Sequence, residues 1–314
     1  TALRRQRQMC IRDRSNNMKT YISFSKDDSI ESLVDATCIG AFDGVHKGHV
    51  ELIKKTKEIS ENFQIVTFNV IPKIYFDKQL KPLLSSKQRS DIFKKYDPVN
   101  LVYLKFEEIN QISPTEFLNL LKHNLKTQKI VVGRDFKFGK NRKGDIRTLK
   151  NFFGSDNVII IDDFYVKNDK VSSTKIRNYL NEGNIEKVNL LLGREYEISG
   201  KVVKGLRLGS KLGFPTANIK FKHDFYYPKL GVYEIECELN NEIHKGITNI
   251  GYTPTVVDRK VLKVEAHLFN FDRDIYGKEI RIRLKSFIRD EIKFDSLDEL
   301  INQIKKDIDS IKNK

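Results

Sequence analysis

Tryptophan is absent from the chain, and cysteine is scarce: Cys10, Cys38 and Cys237 are the only three. They lie far apart and share no ligand spacing. That argues against a disulfide framework and a cysteine-built zinc site, and fits a reducing compartment, so a cytoplasmic location is expected. No apolar run approaches the ~18 residues of a spanning helix, so neither a membrane span nor a membrane partner is expected. The Walker A pattern G-x-x-x-x-G-K-[ST] is missing, so a phosphate cradle must be built another way. Internal repeats and low-complexity linkers are absent too.

What is present fits two domains, since 314 residues exceed the usual ~100–200 of one. Hydrophobic residues make up 39%, enough for ordinary cores, and charged residues 32%. A net charge of +15 leaves two readings, a nucleic-acid binder or a basic enzyme that handles phosphates. The lysines are scattered, with no recognised binding motif or basic-aromatic stripe, so no nucleic-acid partner is expected. Residues 1–17 differ from the rest: five Arg and one Asp stand where Lys dominates elsewhere. MCIRDR resembles a translated sequencing adaptor. The expectation is a non-native extension before a start at Met18, with a targeting peptide or basic arm as alternatives; a secretory signal would need an apolar core.

From there the first half alternates short apolar runs with helical patterns. Strands are expected at 37–40, 64–70, 130–133 and 158–161, and helices at 50–59 and 113–126. The second helix opens with Ser113, Pro114 and Glu116, a capping box with proline at the first position. Strands separated by helices imply an α/β fold with a parallel sheet. Helices are expected at 175–182 and 185–192, with Gly183 ending the first and Asn184 capping the second. After Gly193 the segments 197–203, 232–239, 243–248, 261–269 and 279–287 are β-rich, separated by turn residues such as Asn240-Asn241. They imply a small β-barrel. The C-terminal helix opens with Ser296 and Glu299, and Leu297, Leu300, Ile301, Ile304, Ile308 and Ile311 share one face for packing on the barrel.

Residues 40–49 read GAFDGVHKGH and stand between a strand and a helix. Ligands of an open parallel sheet bind at the carboxyl ends of its strands. Gly40, Gly44 and Gly48 let the backbone turn tightly, and a helix N-terminus presents N–H groups to phosphate. His46 and His49 can project to the same side and stabilise charge on a departing pyrophosphate; the alternative is a structural pair. Residues 133–139 (GRDFKFG) follow another strand, with Asp135 free to hold a ribose hydroxyl or to serve a turn. Residues 171–177 (VSSTKIR) bring Ser172, Ser173 and Thr174 to a helix start, and Arg177 adds a charged fork; alone, such a segment is an ordinary cap. GAFDGVHKGH, GRDFKFG and SSTKIR in this order resemble the nucleotidyltransferase module of the bacterial bifunctional riboflavin kinase/FAD synthetases. The resemblance implies a Rossmann-like domain at 18–184 that transfers AMP from ATP to FMN with Mg²⁺. Gly40, Phe42, Asp43, Gly48, Asp135, Ser172, Ser173 and Thr174 would be on the nucleotide, and His46, His49 and Arg177 would be catalytic. Where the family usually carries a Pro-His-Pro-like turn, this chain reads Asn69-Val70-Ile71-Pro72.

A second constellation starts at Gly205. The segment 205–213 (GLRLGSKLG) suits a loop over ATP phosphates and leads into Phe214-Pro215-Thr216-Ala217-Asn218. Thr216 and Asn218 are hard oxygen donors for Mg²⁺, on one face of an extended segment. Residues 249–255 (NIGYTPT) read as a rigid turn, and Glu265 lies in a strand among apolar neighbours, either as a base or as an outward residue. GFPTAN, NIGYTPT and VEAHLFNFDRDIYG resemble the flavokinase module of the same family. The resemblance implies a riboflavin kinase domain at 185–314, with Glu265 as general base, Thr216 and Asn218 on Mg²⁺–ATP, Gly205, Lys211 and Gly213 on the nucleotide, and Asn249 and Thr255 on the flavin. The family often carries Arg where Ser210 stands, and Lys211 or Arg207 is the candidate replacement. The expected partners are riboflavin, FMN and ATP, with FAD as final product. The alternatives are a riboflavin kinase with an impaired adenylyltransferase site, and a nucleotidyltransferase for another substrate, against which GFPTAN speaks.

Overall fold

A computed structural model of the chain describes residues 9–12, 18–204, 214–221, 224–253 and 261–312. The chain divides into two units, Thr1–Ser173 and Thr174–Lys314. The division comes eleven residues before the sequence boundary at 184, because the helices Ser173–Glu182 and Ile185–Leu192 cluster with the second unit.

The first unit is built on a seven-stranded sheet: β1 (Met9–Arg12), β2 (Lys19–Phe24), β3 (Val34–Ile39), β4 (Phe63–Phe68), β5 (Asn100–Leu104), β6 (Thr127–Gly133) and β7 (Val158–Ile161). Their spatial order is β1-β2-β5-β4-β3-β6-β7. All neighbours are parallel except β1, which pairs antiparallel with β2, so the segment read as an extension contributes an edge strand. All six residues of β4 and all five of β5 are buried, as expected for a sheet covered on both faces. Alternate residues feed two cores. Val66, Val102 and Val132 enter one, and Ile65, Leu101 and Val131 the other. After β5 the chain crosses to the far side of β3, which makes the carboxyl ends of β3 and β6 the topological switch point. At the opposite end, the Gln64 amide donates to Thr37 Oγ1 at 3.0 Å and to the Leu125 carbonyl at 2.9 Å. It also accepts from Asn100 at 3.3 Å. This buried, satisfied network pins strand register.

The capping box at Ser113 forms, but the expected helix over 113–126 stops at Asn119 and continues as a wide turn, Leu120–Asn124. The Leu125 N–H reaches back to the Leu120 carbonyl, five residues away, while Leu120, Leu121 and Leu125 are all buried.

After the hairpin β8 (Tyr165–Val166) and β9 (Asp169–Lys170), the second unit holds β10 (Tyr196–Val203), β11 (Ala217–Lys220), β12 (Gly231–Leu239), β13 (Glu242–Thr253), β14 (Val261–Leu268) and β15 (Glu279–Arg289). They close into an antiparallel barrel in the order β10-β11-β14-β13-β12-β15. The turn between β12 and β13 has positive φ at Asn240 and Asn241, as a two-residue hairpin turn requires. β13 runs through the segment expected as a rigid turn: it pairs with β14 from Gly246↔Leu268 to Thr253↔Val261, and that ladder holds 249–253 extended. The helix Leu297–Lys312 packs Ile304, Ile308 and Ile311 with Val232 and Ile247 of the barrel. Leu297, expected on that face, is exposed. Arg289 of β15 makes a bidentate pair with Asp307 of the helix, 2.8–3.0 Å, and Asp307 is 3% exposed. Cys38 and Cys237 are free and buried; desolvation pushes their thiols up to about 12 and about 11, which argues against thiolate chemistry.

Candidate active sites

The first site forms where β3 ends at the switch point. The loop after it is strained: Phe42, Gly44 and Val45 all have positive φ (49°, 84° and 40°). For a β-branched residue such as Val45 this is a true outlier, and strain of this kind collects at functional loops. Two contacts explain the tolerance. A Cβ on Gly44 would lie 2.8 Å from Leu83 Cδ1. The Asp43 carboxylate accepts the Leu83 N–H at 3.0 Å, so Asp43 holds the loop closed from within. Phe42 is fully buried, edge-on to Phe93 and to His49.

His46 is the N-cap of the helix Lys47–Ile59. Its Nδ1 accepts the His49 backbone N–H at 3.3 Å, which places the neutral ring's proton on Nε2. The His46 and His49 rings stack, with centroids 3.6 Å apart and planes 13° from parallel. A Cβ on Gly48 would come to 3.3 Å from His46 Nδ1, so glycine there leaves room for the ring. Two imidazoles therefore stand together at a helix N-terminus. Ser173 joins the same loop, its hydroxyl donating to the Asp43 carbonyl at 2.7 Å, and Ser172 precedes it half-buried. Asp135 is placed differently: it follows β6 in an exposed turn, 3.7 Å from Lys170 Nζ. Thr174 and Arg177 belong to the second unit, where the buried Arg177 guanidinium lies 5.2 Å from the Tyr226 ring.

The turn that lacks histidine is built by Asn69. Its Oδ1 accepts the N–H of Val70 (2.7 Å) and Phe106 (3.0 Å), and its Nδ2 donates to Glu107 (3.3 Å). Ile71 is buried at 4% exposure. The helix Pro72–Phe76 then presents Phe76 at 71% exposure, beside Tyr75 and Phe106.

The second site is a row across the barrel. Asn218 of β11 is directly opposite Glu265 of β14, and Glu265 is directly opposite Asn249 of β13. Directly opposed residues share a face. Val264 and Ala266 point into the core, so Asn218, Glu265 and Asn249 face outward together. Lys263, two residues before Glu265 on the same face, forms an ion pair with it at 2.8 Å. Thr216 stands half-buried just before β11, and His267 Nδ1 lies 2.9 Å from the Pro215 carbonyl, tying that segment to β14. Asn249 Nδ2 reaches Glu291 at 3.5 Å, and a Cβ on Gly251 would collide with that carboxylate. The Tyr227 and Tyr252 hydroxyls are hydrogen-bonded to each other, and that bond, followed by burial, pushes the Tyr252 phenol up to about 12. Gly205, Ser210, Lys211, Gly213 and Thr255 lie outside the described residues. Among the described residues no group of three His, Cys, Asp or Glu is arranged to hold a metal by itself. The oxygen donors Thr216 and Asn218 fit Mg²⁺, which keeps most of its shell as water and phosphate.

Sequence reasoning missed Lys263, His267 and Glu291. Lys263 carried a usable signal, an i, i+2 spacing from Glu265 in a strand. The Asn249–Glu291 approach is set by the barrel and had none.

Comparison with known proteins divides the chain in the same way. Residues 31–175 match the FAD synthetase family model and residues 192–314 the riboflavin kinase model. A bifunctional riboflavin kinase/FMN adenylyltransferase of Listeria monocytogenes is 35% identical, covering 86% of this chain and 88% of its own. One from Bacillus subtilis is 33% identical over 90% and 92%. A solved structure from Streptococcus pneumoniae, described as a macrolide-efflux protein, superposes with a TM-score of 0.85 at 30% identity, covering 93% of this chain and 99% of that one. Among the described residues no helix is long and apolar enough to cross a membrane. With both modules matched, and with relatives more than 30% identical over most of both chains, the chain belongs to the bifunctional riboflavin kinase/FMN adenylyltransferase family.

Proposed function

We propose that the barrel phosphorylates riboflavin to FMN and that the parallel-sheet unit adenylylates FMN to FAD, both from ATP. Both catalytic modules of the family are present. The observation that carries the reading is the row Asn218–Glu265–Asn249: a carboxylate flanked by two amides on one outward face, in a unit separate from the stacked His46 and His49.

In the kinase step Glu265 takes the proton of the ribityl 5′-hydroxyl as its oxygen attacks the γ-phosphorus of ATP, and ADP leaves. Asn218 and Thr216 would supply oxygens to Mg²⁺–ATP; Asn249 lies on the flavin side, and Thr255 is assigned there from its place in NIGYTPT alone. In the adenylyl step an FMN phosphate oxygen attacks the α-phosphorus, and pyrophosphate leaves. No protein nucleophile is needed. His46 and His49 donate toward the phosphates at the helix N-terminus and stabilise the charge on the leaving group. Gly40, Gly48, Ser172 and Ser173 line the nucleotide, and exposed Phe76 offers a stacking face for the isoalloxazine ring. Arg177, with Thr174, is assigned to the phosphates from its place in SSTKIR. When bound, Mg²⁺ neutralises phosphate charge in both steps. A single-activity kinase is not favoured. Asn69 rebuilds the altered turn from its own amide, and the two histidines stay together.

The test is one incubation of the purified chain with riboflavin, Mg²⁺ and ATP, followed by chromatography of the flavins. FMN that rises and then gives way to FAD supports both steps. FMN that accumulates, and is not adenylylated when supplied directly, overturns the adenylyltransferase half. Conversion of neither flavin overturns the whole reading.

A further inference from the structure

Arg89 lies on the helix Ser86–Lys94, outside every motif in the sequence, and is 2% exposed. Removing a guanidinium from water is costly unless its hydrogen bonds offset the loss. Its partners are neutral. Nη1 donates to the Ala41 carbonyl and to Thr67 Oγ1, both at 3.3 Å. Nη2 donates to the Phe68 carbonyl at 3.2 Å and to Ser86 Oγ at 3.4 Å. Among the described residues no carboxylate forms an ion pair with it, and its Nε is buried without a partner. Beneath it lies the Tyr103 ring, 5.5 Å from the guanidinium carbon.

The acceptors are not arbitrary. Ala41 is the second residue of GAFDGVHKGH. Phe68 is the last residue of β4, directly before the Asn69 turn. Thr67 Oγ1 donates to the same Ala41 carbonyl at 3.3 Å, closing the arrangement. One planar fork thus ties together the carboxyl ends of two neighbouring parallel strands, where their ligand-facing loops diverge. A buried charge stabilises a fold poorly compared with an apolar side chain of the same size. What a fork adds is geometry: two carbonyls held in a fixed relation, which a lysine's single nitrogen cannot do.

We propose that Arg89 is a positioning residue for adenylyl transfer, clamping the His46/His49 loop to the Asn69 turn without touching the substrate. The proposal rests on the adenylyltransferase reading above. Misplacement of reacting groups by about 1 Å can cost on the order of 100-fold in rate.

The test uses the full chain, with Arg89→Met, Arg89→Lys and Thr67→Val. The expected result for Arg89→Met is a kcat for FMN adenylylation lower by about 10- to 100-fold, with the KM values for ATP and FMN moving by less than about threefold. Riboflavin phosphorylation should stay within about twofold, since it belongs to the other unit. Arg89→Lys, which keeps the charge and one donor, should recover part of the loss. Thr67→Val, which leaves Arg89 in place but removes the bridging hydroxyl, should lower the same kcat by about 3- to 10-fold. It decides the matter if Arg89→Met fails to give a calorimetric unfolding transition for the first unit. An unchanged kcat in Arg89→Met, or in Thr67→Val where Arg89→Met does not fold, would overturn the clamp. So would a wild-type kcat in Arg89→Lys, because a single nitrogen cannot hold both carbonyls. A wild-type chain that makes no FAD from FMN would instead overturn the underlying reading, before any variant is compared.

Discussion

Replacing Glu265 by Gln should separate the two activities most cleanly. The substitution keeps the shape and a hydrogen-bonding amide between Asn218 and Asn249, but removes the only group in that cross-strand row that can take a proton. A positioned general base is worth about 10²- to 10⁴-fold, which is about 2.7–5.5 kcal/mol of barrier at 1.36 per decade. Phosphoryl transfer depends mainly on positioning and charge neutralisation, so the lower end, about 100-fold in kcat, is the expected value. The folded barrel should hardly notice. The Lys263–Glu265 pair is partly exposed (36% and 27%), and such pairs contribute at most about 1 kcal/mol, a Tm shift of about 4 °C or less in a unit of this size. Riboflavin-to-FMN and FMN-to-FAD rates would be measured separately, with calorimetry on the same samples. A kinase kcat within about fivefold of wild type, with the barrel folded, would refute Glu265 as the base and return it to an outward strand residue paired with Lys263.

His49→Ala should lower FMN adenylylation by about 10²- to 10³-fold, as expected for loss of a charge-stabilising donor, with riboflavin phosphorylation unchanged; parallel loss of both activities would count against the assignment. Asp307→Ala leaves Arg289 without its bidentate partner against the C-terminal helix and should destabilise the second unit by about 3 kcal/mol, or about 10 °C in its calorimetric transition; a shift below about 3 °C would show the pair to be dispensable. Acid should weaken the first unit through its capping carboxylates. The N–H and hydroxyl of Ser113 hold Glu116 below its ordinary 4.5, and those of Thr148 hold Asp145 below 3.8. Depressed folded values add stability above the unfolded pKa and lose it as pH falls through the folded one. Its transition temperature should therefore be flat near neutrality and fall below about pH 4.5; a rise on acidification there would refute the sign.

Local grammar explains why so much of the architecture could be read early. Ser113-Pro114-x-Glu116 writes a helix start in four letters, and the structure forms both bonds of that box. Gly183, with φ of 76°, and the Asn240-Asn241 turn likewise carry their geometry in their residue types. The boundaries that moved are those set by partners distant in sequence. The end of the 113–126 helix widened where three leucines had to reach the core, and 249–253 stayed extended because β14 lies beside it. The sites divide along the same line. H-x-G-H could be read because its two histidines are three apart at a helix start, yet nothing in the letters announced that Val45 would be forced to φ of 40° to present them. Glu265 stood among apolar neighbours in a strand, but its two flanking amides come from strands 47 residues before it and 16 before it, and only barrel closure sets them on either side. Arg89 is the extreme case: an ordinary polar letter on an amphipathic helix, whose part follows solely from which two strand ends the sheet brings within reach of one guanidinium.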